Sequence, residues 1–307
     1  MGAASLRGRY DRFDVGRGQL HALAFPISQD TGVIRVEGYT KAYRTTLAVD
    51  NLTFHVEPGQ VLGLLGRNGA GKTTTLRALA GIIPPTRGTL SVGGFNLKDH
   101  EIEAKNRLAY IPDDPRLFEP LTVWEHLEFT AMAYQVDDLA GRGEALLKQF
   151  ELEPKRDALI QELSRGMRQK VAICCAYLHD PLAILFDEPL TGLDPRGIRT
   201  LKESIAERAR GGAAVIVSSH LLSLVEDLCT HLLVLNLGKA CFFGPTEQAR
   251  RIYRSHRGDD ASLEEVFFQL TEGSSPPPEG GEPHHPDLSS PANPEPGFPA
   301  DAAGDQP

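Results

Sequence analysis

Residues 61–81 read VLGLLGRNGAGKTTTLRALAG, and this stretch restricts the possible folds more than any other. An apolar run that reads as a strand ends at Gly66, and a segment of helical periodicity follows Thr73. Between them Gly66, Gly71, Lys72 and Thr73 fit the spacing G-x-x-x-x-G-K-[ST]. Glycine inside a helix or strand costs about 0.5–1 kcal/mol relative to alanine, so three glycines in so short a loop imply a compensating use. Without Cβ atoms, successive backbone N–H groups turn inward around phosphate oxygens. In that reading Lys72 reaches the outer phosphates and the Thr73 hydroxyl binds Mg²⁺. The helix that follows aims its positive end at the same anion. Asn68, Gly69 and Thr74 belong to the same phosphate-facing stretch. The alternative is an ordinary Gly-rich turn between strand and helix. The hydrophobic strand before and the helix after favour a nucleoside triphosphate loop.

A second feature lies 115 residues beyond Lys72 (187 minus 72). The segment AILFDEP places Asp187 and Glu188 at the end of an apolar strand. At the carboxyl end of an open parallel sheet, side chains project into the ligand crevice. Two adjacent carboxylates are costly in a dry site unless a cation offsets them. Asp187 is therefore expected to hold Mg²⁺, through water, and Glu188 to act on an attacking water as base or orienter. By itself the pair also reads as a solvated acidic turn; the phosphate loop upstream favours the metal reading.

Elsewhere VIRVEGYTKAY, LAVDNLTFHV, TLSVGGF, LAILFD, AAVIVSS and HLLVLN read as strands, with a Gly-Gly turn at 93–94. Helices are expected from Thr73 to the Pro84-Pro85 pair, over 139–150, over 166–179, over 196–210, in LLSLVEDLC and at 261–270. LTVWEHLEFTAMAYQ begins with Thr122 and has Glu125 three places on, a capping box. Continuous apolar strands alternating with helices indicate a parallel sheet covered on both faces.

Composition narrows the function. The chain has 307 residues and a net charge of −9. Seven acidic residues and no Lys or Arg lie from Glu272 onward, so residues 1–271 carry about −2 (−9 minus −7). That part shows no basic stripe, which argues against nucleic-acid binding. Ten of the 22 prolines fall in residues 273–307, a segment too poor in hydrophobes to order itself. Residues 1–30, of mixed charge and weak periodicity, read as a poorly ordered extension. Cys174, Cys175, Cys229 and Cys241 lack metal-ligand spacing and read as reduced core thiols of a cytoplasmic protein. The longest apolar run, VAICCAYL, is far short of the roughly 20 residues a bilayer span needs. No signal-peptide core is expected at the N-terminus, and MGAASL lacks the Ser or Thr of a myristoylation signal. Work at a membrane would need another chain to span it.

Further motifs extend the pattern. LSRGMRQK at 163–170, TGLDP at 191–195 and SSH ending at His220 occur in that order around the acidic pair. Together with the phosphate loop they resemble the ABC ATPase family, the nucleotide-binding subunits of ABC transporters, over about Val33 to Leu270. The resemblance implies an α/β fold: a P-loop core with a mostly parallel sheet, an N-terminal antiparallel β subdomain and a helical subdomain inserted at about 113–180. It implies an ATP-binding domain over 31–272. It also implies ATP and Mg²⁺ as ligands and hydrolysis of ATP, with Lys72, Glu188 and His220 as catalytic residues. Two chains would meet head to tail, Ser164 and Gly166 of one facing the phosphate loop of the other, and Asp194 linking the two sites. Both halves of the site lie in this chain, so a homodimer suffices. Tyr43 would stack on adenine or simply pack on its strand. A separate membrane permease would complete the machine and place it at the cytoplasmic face of the membrane. SLEEVFFQLT at 262–271 resembles the C-terminal helix of exporter subunits, and also reads as a plain amphipathic helix.

Two positions depart from the family pattern. Asp113, in YIPD, stands where the family has Gln; Arg165 replaces the first glycine of the signature. Asp113 is expected to keep a Mg²⁺ contact and to change coupling to the partner, and Arg165 to add an anion contact. Leu117, Phe118, Leu121 and Trp124 either pack the helical subdomain or line a groove for a permease helix. A soluble ABC ATPase acting on ribosomes or DNA, and a regulatory module that binds ATP with little hydrolysis, remain open as alternatives.

Overall fold

The computed structural model describes residues 32–219, 226–252 and 263–272. Two sheets organise them. Strands β1 (Ile34–Tyr43), β2 (Thr46–Val56), β4 (Arg87–Val92) and β5 (Phe95–Asn96) form an antiparallel sheet in the order β2-β1-β4-β5. Along the end of β2 the side chains alternate, with Leu52, Phe54 and Val56 buried and Thr53 and His55 exposed, as a sheet with one wet face requires. Gly93 and Gly94 both have positive φ, 57° and 83°, and join β4 to β5. Two consecutive positive φ values suit the twist of a hairpin turn.

The second sheet has the order β10-β9-β3-β8-β7-β6. It comprises β3 (Val61–Gly66), β6 (Leu108–Ile111), β7 (Ala183–Asp187), β8 (Ala214–Ser218), β9 (His231–Asn236) and β10 (Lys239–Pro245). All pairings are parallel except β10 on β9. Every residue of β3, β7 and β8 is buried, because both faces are covered. The period of two then splits each strand between two cores. Val61, Leu65, Ile184, Phe186, Val215 and Val217 pack with the helical elements, alongside Val171, Tyr177 and Leu201. Leu62, Leu64, Leu185 and Ile216 pack with the antiparallel sheet and with Leu76 and Leu79.

Helix α1 (Lys72–Leu79) ends before the prolines expected to stop it. Gly81 has φ 65°; its N–H donates to Ala78 O at 3.0 Å, and the Ile82 N–H donates to Arg77 O at 2.9 Å. That pair of bonds is a Schellman end, and a left-handed glycine terminates the helix before Pro84 has any effect. Beyond α2 (Glu101–Lys105) the chain builds α3 (Val123–Tyr134), α4 (Leu139–Gln149) and α5 (Arg165–Leu178). The capping box of α3 is formed: Thr122 Oγ1 accepts from the Glu125 N–H at 3.2 Å, and Glu125 Oε2 accepts from the Thr122 N–H at 2.8 Å. Asp194 caps α6 (Pro195–Arg210) by accepting from the Gly197 N–H at 2.9 Å. Helices Thr246–Ile252 and Leu263–Glu272 complete the described chain. The short α2, strand β10 and helix Thr246–Ile252 were not among the expected elements. The four cysteines are free, as expected, but only Cys174 and Cys229 are buried. Cys241 lies exposed on the edge strand β10, so it is not a core thiol. Among the described residues no helix is long and apolar enough to cross a membrane. The expected extension over 1–30, the Pro-rich tail from 273, His220 and most of the LLSLVEDLC segment lie outside the described residues.

Candidate nucleotide site

The parallel order puts the carboxyl ends of β3, β8 and β7 side by side, with Leu64 opposite Ser218 and Ser218 opposite Asp187. The loop leaving β3 therefore faces the acidic pair leaving β7. A cleft of about 200 Å³ there is lined by Ala48, residues 67–74 and Glu188. The loop is close to its surroundings at both ends. A Cβ on Gly66 would stand 2.7 Å from Leu235 O, and one on Gly71 would stand 2.8 Å from Ala48 O. Gly71 also has φ 104° and occupies the N-cap of α1. No side chain caps this helix and no acidic residue lies in its first turn. Its first amides are thus left to an anion.

Lys72 is buried, with Nζ donating to Gly66 O at 2.7 Å and lying 3.9 Å from Glu188 Oε1. Burial lowers its pKa, opposed by the charges of Glu188 and Asp187. The ammonium is folded back on its own loop and held beside the carboxylate that follows Asp187. Glu188 has φ 49°, a left-handed conformation costing about 1–3 kcal/mol in a non-glycine residue. Its N–H donates to Ser218 O at 3.1 Å and to Ser218 Oγ at 3.2 Å, which fixes this bend.

Asp187 is buried and collects three hydroxyls. Ser218 Oγ donates to Oδ1 at 2.6 Å, Thr73 Oγ1 donates to Oδ1 at 3.2 Å, and Tyr110 OH donates to Oδ2 at 3.4 Å. Tyr110 is pushed up to about 12, by burial first and then by the Asp187 charge, so the phenol stays a donor. Sequence reasoning assigned nothing to Ser218 or Tyr110. Each is the polar exception in an apolar strand, at the end nearest Asp187, and that is the signal that singles them out. Thr73 and Asp187 offer a hydroxyl and a carboxylate 3.2 Å apart, hard oxygen donors of the type Mg²⁺ takes. Among the described residues no group of three or more His, Cys, Asp or Glu side chains converges on a metal position.

The other expected residues lie elsewhere. Ser164 is the N-cap of α5, accepting from the Met167 N–H at 3.3 Å. Gly166 packs against the 191–195 turn: a Cβ on it would collide with Gly192 O. The described contacts do not bring Ser164, Gly166 or Asp194 to the lysine loop of the same chain. Tyr43 is half exposed, with Lys41 Nζ 5.0 Å from its ring centre. Asn68 and Thr74 line the cleft, and Tyr39 OH donates to Thr74 O at 3.4 Å. Asp113 is joined to Arg165, whose Nη2 donates to Oδ1 at 3.0 Å and to the Asp113 carbonyl at 3.4 Å.

The chain is similar to several known proteins. The ABC transporter family profile matches residues 49–191. The ABC-type transporter ATP-binding protein EcsA of Bacillus subtilis is 36% identical over 241 residues, covering 78% of this chain and 96% of the relative. The Nod factor export ATP-binding protein I of Cupriavidus metallidurans is 35% identical over 211 residues, covering 68% and 70%. A solved ATP-binding subunit of an ABC transporter superposes with a TM-score of 0.73 at 35% identity, covering 78% of this chain and 99% of that one. A dimeric ATP-binding cassette with ADP and Pi bound shares the fold, with a TM-score of 0.62 at 22% identity.

Proposed function

The chain belongs to the ABC transporter ATP-binding family and is an Mg²⁺-dependent ATPase, and from that premise we propose that it powers export through a separate membrane permease as a head-to-tail homodimer. The observation that carries the site assignment is the convergence of Lys72, Thr73 and Glu188 on one cleft, with Asp187 accepting from Thr73. In this reading the amides of residues 69–74 and the Lys72 ammonium hold the β- and γ-phosphates. Thr73 and Asp187 would hold Mg²⁺, which supplies charge neutralisation on the phosphate oxygens when bound. Glu188 orients water in line with the γ-phosphorus and accepts its proton. A water O–P bond forms, the β–γ bridging O–P bond breaks, and ADP and phosphate result. His220 assists as the switch residue and Tyr43 meets the adenine. Ser164 and Gly166, at the start of α5, face the nucleotide of the second copy, and Asp194 links the two sites. Closing on ATP adds contacts that the open pair lacks, which supplies the differential affinity a switch requires.

The membrane partner is supported by an apolar surface. Phe118, Phe129 and Met132 are all exposed, and Phe118 and Phe129 stack edge to face at 5.4 Å. A patch of that kind supports docking on a membrane partner, and in this reading the chain works at the cytoplasmic face of the membrane. Leu117 and Trp124, by contrast, pack on the helical core. Export is supported by the relative that serves Nod factor export. The test compares the purified chain with Glu188→Gln in Mg²⁺-ATP. Loss of the base should reduce turnover by about 10²–10⁴-fold and leave an ATP-held dimer detectable by light scattering. Equal, negligible rates in both forms, with no dimer, would overturn the reading.

A further inference from the structure

The two positions at which this chain departs from the family pattern meet. Arg165 Nη2 lies 3.0 Å from Asp113 Oδ1 and also donates to the Asp113 carbonyl. Asp113 is two residues beyond β6, the strand whose Tyr110 binds Asp187. Arg165 is the first residue of α5, immediately after the cap Ser164. The arginine stem also lies across Gly192: a Cβ there would stand 3.2 Å from Arg165 Cγ and Cδ. One side chain therefore touches the β6 exit, the start of α5 and the turn before α6. Each of those segments carries a residue assigned to nucleotide or to the second copy.

We propose that Arg165 is a positioning residue, an ion-pair latch that holds the serine-bearing start of α5 at a set orientation to the β6 exit before ATP arrives. The latch preorganises the surface that one copy offers to the nucleotide of the other; in this it rests on the head-to-tail dimer proposed above. It also pairs the Asp113 carboxylate with a guanidinium. Both side chains are nearly half exposed, so the pair is worth only what an accessible salt bridge gives, about a two- to fivefold effect, and it weakens with salt.

The experiment uses the full chain carrying Glu188→Gln, with Asp113→Asn, Arg165→Gln and the two combined. Without nucleotide, amide hydrogen exchange is read at residues 112–118 and 165–168. Each single change should speed exchange in both segments, and the double change should add nothing. With Mg²⁺-ATP, the ATP concentration for half-maximal dimerisation should rise about two- to fivefold for each single change and no further for the double. Raising NaCl should move the parent towards the variants. If Arg165→Gln leaves exchange at 112–118 unchanged, there is no latch. If it impairs dimerisation and Asp113→Asn does not, Arg165 contacts phosphate directly and the proposal is wrong. A lower ATP requirement in either variant would mean the pair opposes closure, which also overturns it. If the parent fails to dimerise with ATP, the dimer reading falls, while the exchange arm still decides whether the latch exists.

Discussion

Replacing Ser218 with alanine isolates the contact that holds Asp187. Ser218 and Asp187 are both buried, and their 2.6 Å bond is the shortest that Asp187 receives. A hydrogen bond to a charged group contributes about 1.5–3 kcal/mol. The Thr73 and Tyr110 hydroxyls, at 3.2 and 3.4 Å, cannot shorten without moving α1 or β6. The Glu188 N–H keeps the Ser218 carbonyl at 3.1 Å, so its loss of the hydroxyl acceptor costs little. The expected loss of stability is therefore about 1.5–3 kcal/mol, read from urea midpoints at a common slope in the absence of nucleotide. The charge is the cause, so the same change in an Asp187→Asn background should cost only about 0.5–1.5 kcal/mol. A loss below about 0.5 kcal/mol in the parent, or equal losses in the two backgrounds, would refute the claim that this hydroxyl holds an ionised Asp187.

Two further perturbations test separate parts of the fold. Gly71→Ala and Gly69→Ala both place a side chain at positive φ, 104° and 82°, a shared cost of about 1–2 kcal/mol. Only the Gly71 Cβ also meets backbone, at Ala48 O, whereas nothing lies within 4 Å of Gly69. Gly71→Ala should thus be the more destabilising by at least about 1 kcal/mol and should abolish binding of a fluorescent ATP analogue; equal losses would show that the loop is not wedged against the β1–β2 hairpin. His126 is buried, with Nδ1 against Thr122 O at 3.0 Å and Nε2 accepting from the Phe118 N–H at 2.9 Å. Burial lowers its pKa, as it does for His179 and His231. The unfolded chain then binds protons first, so stability is full above about pH 6.5 and falls as pH drops towards the lowered native values. Thermal melts between pH 7.5 and 5.5 should show this slope, and His126→Gln should reduce it; an unchanged slope would clear His126 of the role.

The parts of the fold that could be read from the sequence are those in which one physical demand governs a contiguous segment. Strands β3, β7 and β8 are legible because burial on both faces leaves no polar position to interrupt them before the last residue of β7 and of β8. The loop at 66–73 was legible because wrapping an anion with backbone amides sets glycine spacing within eight residues. Helix α1 stops short of Pro84 because Gly81 and Pro84 both stop helices, and the nearer signal acts first. Cys241 was assigned to the core from its residue type, but on the edge strand β10 it lies exposed to solvent. Ser218 was invisible because its role is set by register: only the pairing of β8 with β7 puts it opposite Asp187. The same limit explains Asp113 and Arg165. Separated by 52 positions, each reads as an independent departure from the family pattern, Asp113 keeping a Mg²⁺ contact and changing coupling, Arg165 adding an anion contact. Neither β6 nor α5 alone contains the fact that joins them. It follows from β6 lying beside β7 while α5 runs into β7 across the same sheet edge. The two side chains, 52 positions apart in the chain, thus meet in one ion pair at 3.0 Å, and a reading of either segment by itself misses it.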